Sequence, residues 1–177
     1  MISKTEIPQN SLLRQTGPYD YEDSFSIAII DAKNKITVDD VVQVFMTSSP
    51  TWVKMLMTLR NKIVAPFGLK TGTDTRQITA EKMEFNTGSR IGLFKIMARN
   101  ENEIIVGEDD KHLNFKVSLW LRSDSANGNN KEVILSTAVN FNNWLGRLYF
   151  AVVKPFHKLI VPAMMKQMAK QLHGILH

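Results

Sequence analysis

Between His112 and Leu121 apolar and polar positions alternate without a break: Leu113, Phe115, Val117, Leu119 and Leu121 form one set and His112, Asn114, Lys116, Ser118 and Trp120 the other. Period-two alternation is what a strand shows when one face lies on a core and the other does not, so a strand is predicted there. Similar alternation runs weakly from Ile78 to Phe85 and firmly from Ile91 to Ala98; Asn100-Glu101-Asn102 then separates it from EIIVG, which begins at Glu103. That spacing predicts a meander hairpin. EVILSTAVNF, ending at Phe141, returns as the last strand after an exposed loop from Ser125 to Asn130, and FSIAII, Phe25 to Ile30, is the first, turning at Asp31 to Lys35.

The helical patterns are fewer. Thr37 with Asp40 has capping-box spacing and opens a short helix from Val38 to about Met46. Ser49-Pro50 is a second start signal, followed by Trp52, Leu56, Leu59 and Ile63 at spacings of three and four until Pro66 and Gly68. The chain closes on a stretch from Asn143 to about His173, roughly 45 Å if helical at 1.5 Å per residue. In it Leu145, Leu148, Tyr149, Val152, Phe156, Leu159, Ile160, Ala163, Met164, Met168 and Leu172 recur at helical spacing, and Pro155 and Pro162 inside it predict a bend or break. Residues 1–23, polar and carrying Pro8 and Gly17-Pro18, read as an extended arm over the surface, leaving 24–177 as one domain.

At 177 residues the chain suits a single core without staples, and with no cysteine it excludes thiol nucleophiles, thiolate metal sites and disulfides. MISKTEIPQNSLL lacks the apolar core of a secretory signal, and no uninterrupted apolar run approaches the roughly 18 residues of a membrane span, so a soluble, cytoplasmic protein is expected. Charge becomes informative once placed: Arg147, Lys154, Lys158, Lys166 and Lys170 stand in residues 141–177 with no Asp or Glu, which accounts for the whole net charge of +5. An anionic partner or a solvated face is implied for that segment alone.

A curved antiparallel sheet of roughly five to seven strands, two short helices after the first strand and a long bent C-terminal helix packed across it make an α+β domain. That element order resembles the helix-grip (START-like) superfamily. More narrowly, PTWVKMLMTLRNKIVAPFGL, GEDDKHLNFKVSL and FNNWLGRLYFAVVKPFHKLIVPAMM resemble an uncharacterised bacterial family, domain of unknown function 2867. The superfamily resemblance implies a cavity between sheet and terminal helix that admits a small apolar or amphipathic ligand; neither resemblance supplies a catalytic residue.

The residues expected at that ligand are Tyr149, Phe156, Phe115, Leu119, Trp52, Arg147 and His157. Several competing uses were weighed. Asp109, Asp110 and His112 have the residue types of a metal or acid–base site, but lying between two strand patterns they read as a turn, with His112 on the face opposite Leu113. Arg147, Lys154 and Lys158 read as a solvated face of the terminal helix, opposite a stripe of Leu148, Val152, Phe156 and Leu159. His157 reads as a surface histidine or a general base. Arg60 and Lys62 complement the end of the second helix, while Met55-Leu56-Met57 and Met164-Met165 suit packing or an adaptable lining. Trp52, Trp120 and Trp144 read as packing anchors, since no cations interleave with them as a nucleic-acid surface requires. No metal site and no nucleotide-cofactor motif is found, GLKTGTDT being too loose a match. Three functions follow: a ligand carrier; a cyclase- or dehydratase-type enzyme, which needs His112 or His157 to point inward; or a module whose basic helix sits on an anionic membrane or a partner protein.

Overall fold

The computed structural model describes residues 1–48, 84–91, 94–123 and 130–175. The second short helix with Trp52, Arg60, Lys62 and the Met55-Leu56-Met57 run, most of the weak strand from Ile78, and the loop from Ser125 to Asn129 lie outside the described residues. In chain order the elements are β1 (Ile2–Lys4), a 3-10 helix (Leu12–Thr16), β2 (Tyr21–Ile30), α1 (Val38–Thr47), β3 (Arg90–Ile91), β4 (Phe94–Arg99), β5 (Glu103–Asp109), β6 (Leu113–Ser123), β7 (Asn130–Phe141) and α2 (Trp144–Ile175). The strands form one antiparallel sheet in the order β1-β2-β7-β6-β5-β4-β3, on which α2 packs, so the α+β helix-grip arrangement holds.

Alternation chooses the buried face. In β2, Phe25, Ile27 and Ile29 register with Leu135, Val133 and Lys131 of β7; Leu135 and Val133 in turn face Leu119 and Leu121 of β6. These side chains share a core with Val41, Val42 and Phe45 of α1 and with Val161, Met165, Met168 and Leu172 of α2. The capping box of α1 is formed as the sequence implies: Asp40 N donates to Thr37 Oγ1, and Thr37 N donates to Asp40 Oδ2.

Residues 1–23 are tied to the sheet. Ile2 to Lys4 pair with Ile27 to Phe25, Leu13 is fully buried with Ile7, Ile105 and Ala138 against the side of the sheet opposite α2, and the strand predicted from Phe25 begins at Tyr21. The polar residues hid this, because a segment that covers a sheet face needs only a few apolar anchors.

The terminal helix is continuous through Pro155 and Pro162, but it presents a different face from the one its periodicity suggests. Phe150, Ile160, Val161, Met165, Met168, Ala169 and Leu172 are buried, whereas Leu148, Val152 and Leu159 are exposed. Apolar residues occur almost all round the first half of this helix, so periodicity alone did not choose a face. Backbone packing chose it: an ideal Cβ on Gly146 would lie 2.0 Å from His112 O. Gly146→Ala must therefore push the helix start off the β5–β6 turn. We expect a loss of about 2 kcal/mol, seen as an earlier urea midpoint with far-UV circular dichroism retained; an unchanged midpoint would contradict the close approach.

Candidate functional site

Where α2 leaves its first turns, two rows of side chains cross the sheet beneath it. Tyr21 of β2, Val139 of β7, Phe115 of β6 and Glu108 of β5 are in register, and so are Asp23, Thr137, Val117 and Val106. With strands about 4.8 Å apart, Tyr21 and Phe115 stand roughly 10 Å from each other. Tyr21, Phe115, Phe141 and Tyr149 are half-buried around the buried Leu113, Val139 and Phe150, with ring centroids of Tyr21 and Phe141 at 4.7 and 5.4 Å from Phe150. Phe94 meets Phe115 edge to face at 5.7 Å. This is an aromatic cluster that stays partly exposed, unlike the sealed core around Leu119.

One polar cluster is set into it. His157 Nε2 lies 3.2 Å from Asp23 Oδ1, and Tyr21 Oη donates to Asp23 Oδ2 at 2.6 Å. Burial alone pushes the Asp23 carboxyl up, but the His157 contact, with help from Tyr21 and Thr137, outweighs it and holds the group below its ordinary value. The Tyr21 hydroxyl is pushed far above its usual value, by burial first and then by the Asp23 carboxylate it donates to. An ionised Asp23 only accepts, so the His157 nitrogen facing it carries a proton, and in the neutral ring Nδ1 then keeps a lone pair. Lys154 Nζ lies 4.8 Å above the Tyr21 ring. The cluster thus offers an oriented imidazole acceptor, a phenol oxygen and a nearby cation.

The sequence-predicted residues separate on the structure. Tyr149 and Phe115 come together in the aromatic cluster; Phe156 is half-buried on α2; Leu119 is fully buried in the core. Arg147 is exposed, 3.5 Å from Asp20 Oδ1 and over the Phe141 ring at 5.4 Å, so it braces the margin of the aromatic cluster. Trp52 lies outside the described residues. His157 is no surface histidine, and Lys154 does not belong to a purely solvated face. Tyr21 and Asp23 were missed because the strand was begun at Phe25; carrying the same alternation upstream puts both on its core-facing side.

Asp109 is the last residue of β5 and Asp110 begins the turn to β6, where Asp110 N donates to Leu113 O at 3.1 Å. His112 is buried rather than turned to solvent: Nδ1 lies 3.2 Å from Asn143 Nδ2, and Nε2 has no hydrogen-bond partner among the described residues. Asn143 Oδ1 accepts from Gly146 N at 3.1 Å, which ties this turn to the start of α2. Among the described residues no group of three or more His, Asp or Glu side chains could hold a metal ion.

The model of the family described as Protein of unknown function (DUF2867) matches residues 15–164. No curated protein matches the chain. Among solved structures, a conserved protein from Geobacillus kaustophilus is 11% identical, with 89% of this chain and 98% of that one covered and a TM-score of 0.44. A norcoclaurine synthase from Thalictrum flavum, in complex with dopamine and hydroxybenzaldehyde, is 14% identical, with 97% of each chain covered and a TM-score of 0.41.

Proposed function

Because the chain belongs to the DUF2867 family, whose description assigns no activity, we propose from its own side chains that it binds a small amphipathic molecule in a trough between these aromatic rings beneath α2. The ligand's apolar body rests on Phe115, Phe141 and Tyr149, and a hydroxyl or amine at its other end donates to His157 Nδ1 or Tyr21 Oη. The observation that carries this reading is the Asp23-held imidazole set beside partly open aromatic rings. A purely structural cluster would be expected to sit inside the sealed core. The lack of cysteine supports placing this binding in a reducing, cytoplasmic setting.

The neutral probe N-phenyl-1-naphthylamine, which is apolar with one N–H donor, tests it. Saturable binding with one site per chain is expected, weakened roughly tenfold by Phe115→Ala, the order of effect that losing one aromatic contact produces. Absence of saturable binding by folded protein would end the proposal. Native mass spectrometry of protein from its own host should also show a co-purified small molecule.

The Asp23–His157 pair favours a second reading as well. Its geometry is that of an imidazole oriented by a carboxylate, which suits a general base in a cyclase- or dehydratase-type reaction. Both imidazoles, His112 and His157, are turned inward as that reading requires. The two readings part on the recovered molecule. A carrier returns it unchanged, whereas an enzyme alters its mass or its chromatographic retention and His157→Gln alters neither.

A further inference from the structure

The outer face of α2 is unexplained by a ligand held beneath it. Trp144, Leu148, Val152 and Leu159 are 69%, 49%, 42% and 64% exposed. At 100° per residue they fall within an arc of about 80°, so they form one apolar stripe on the side away from the sheet. Arg147 and Lys158 run along one margin of that arc, and Lys166 and Lys170 continue its line toward the C-terminal end. No Asp or Glu occurs in residues 141–177, and among the described residues the ion pair of Arg147 with Asp20 offsets one of the five cations there.

We infer that this face docks on an anionic lipid surface. An apolar stripe with tryptophan at one end and lysines at its edge and foot matches the boundary between acyl chains and phosphates: the rings and aliphatic groups enter the boundary, and the ammonium groups remain with the headgroups. Charge complementarity selects the occupant. A second copy of this chain would place the same cations against each other, since an isologous contact repeats one patch on both sides. By length and composition, residues Trp144–His173 could also cross a membrane, but the opposite side of the helix is committed to the core through Val161, Met165, Met168 and Leu172, so it lies on the surface. The inference is independent of what the trough holds.

Co-flotation with vesicles tests it, comparing phosphatidylcholine alone with an equal mixture of phosphatidylcholine and phosphatidylserine. The protein should float with the mixed vesicles and hardly at all with the neutral ones. Lys158→Ala/Lys166→Ala/Lys170→Ala should weaken binding to the mixed vesicles on the order of a hundredfold, as three lysines near such a surface imply. Leu148→Glu/Leu159→Glu should abolish it, and because both side chains are exposed the double variant keeps its circular dichroism. Equal flotation with both vesicle types, no flotation with either, or a concentration-dependent dimer lost in Leu148→Glu/Leu159→Glu would each overturn the inference.

Discussion

Asp31→Ala is expected to lower the unfolding free energy by about 3–5 kcal/mol, as when one partner of a buried ion pair is removed and the other charge stays buried. Asp31 directly follows β2 and is fully buried; its Oδ2 lies 2.8 Å from Lys131 Nζ on β7. The same carboxylate accepts from Lys35 N at 3.0 Å and Ile36 N at 2.8 Å, closing the turn that leads into α1, while Lys131 Nζ also donates to Ile36 O at 2.8 Å. One side chain therefore holds the sheet, the turn and the entry to α1. Urea unfolding should show the midpoint fall with the slope unchanged. Asp31→Ala/Lys131→Met should recover much of the loss, because a buried pair replaced by packed apolar groups is often neutral. If Asp31→Ala alone costs less than about 1 kcal/mol, the pair is not buried in solution.

The pH dependence has a definite sign. Burial pushes the Asp31 carboxyl up, but the Lys131 ammonium and the two backbone N–H groups outweigh it and leave the folded value below the ordinary one. A carboxyl depressed on folding contributes its full stabilisation above its unfolded value and loses it as pH falls toward the folded one. The wild-type protein should thus lose stability below about pH 4. Asp31→Asn, already lacking the charge, should follow a flatter curve over that range.

Glu103→Ala should cost about 3 kcal/mol, on the scale of a buried charged acceptor removed from its donors. Glu103 opens β5, points to the face opposite α2 and is almost fully buried. Ser11 Oγ and Ser118 Oγ donate to its Oε1, and Leu12 N donates to Oε2 at 2.8 Å. It is the polar anchor of the N-terminal segment, holding the 3-10 helix against the sheet where Leu13 packs. Besides the lower midpoint, limited proteolysis should cut the variant faster within its first 16 residues, those that end in this helix. Glu103→Gln keeps one carbonyl acceptor and should lose roughly half as much. A variant that unfolds at the wild-type midpoint would remove Glu103 from this role.

Much of the scaffold was legible because it depends on local rules. The alternation of Leu113 to Leu121 identified β6 and its buried face, and Thr37 with Asp40 located the start of α1. The candidate site was less legible. Tyr149 and Phe115 fall in one aromatic cluster and His157 beside Asp23, whereas Leu119 is buried in the core. Asp23 was invisible as the partner of His157 because 134 residues separate them and neither carries a local mark of the other. Glu103 looked like the first residue of a hairpin strand, since no pattern shows that a serine 92 positions earlier will reach it.

By itself the sequence determined the strands of the meander, the capped first helix, the length of the last one and the concentration of positive charge there, all of which follow from periodicity and composition over short windows. Only the tertiary structure decided which side of the terminal helix meets the sheet. Its first half is apolar nearly all round, so burial could be satisfied by more than one rotation, and the close approach of Gly146 to His112 selected one. That selection brought His157 over Asp23 and left Trp144, Leu148, Val152 and Leu159 facing outward.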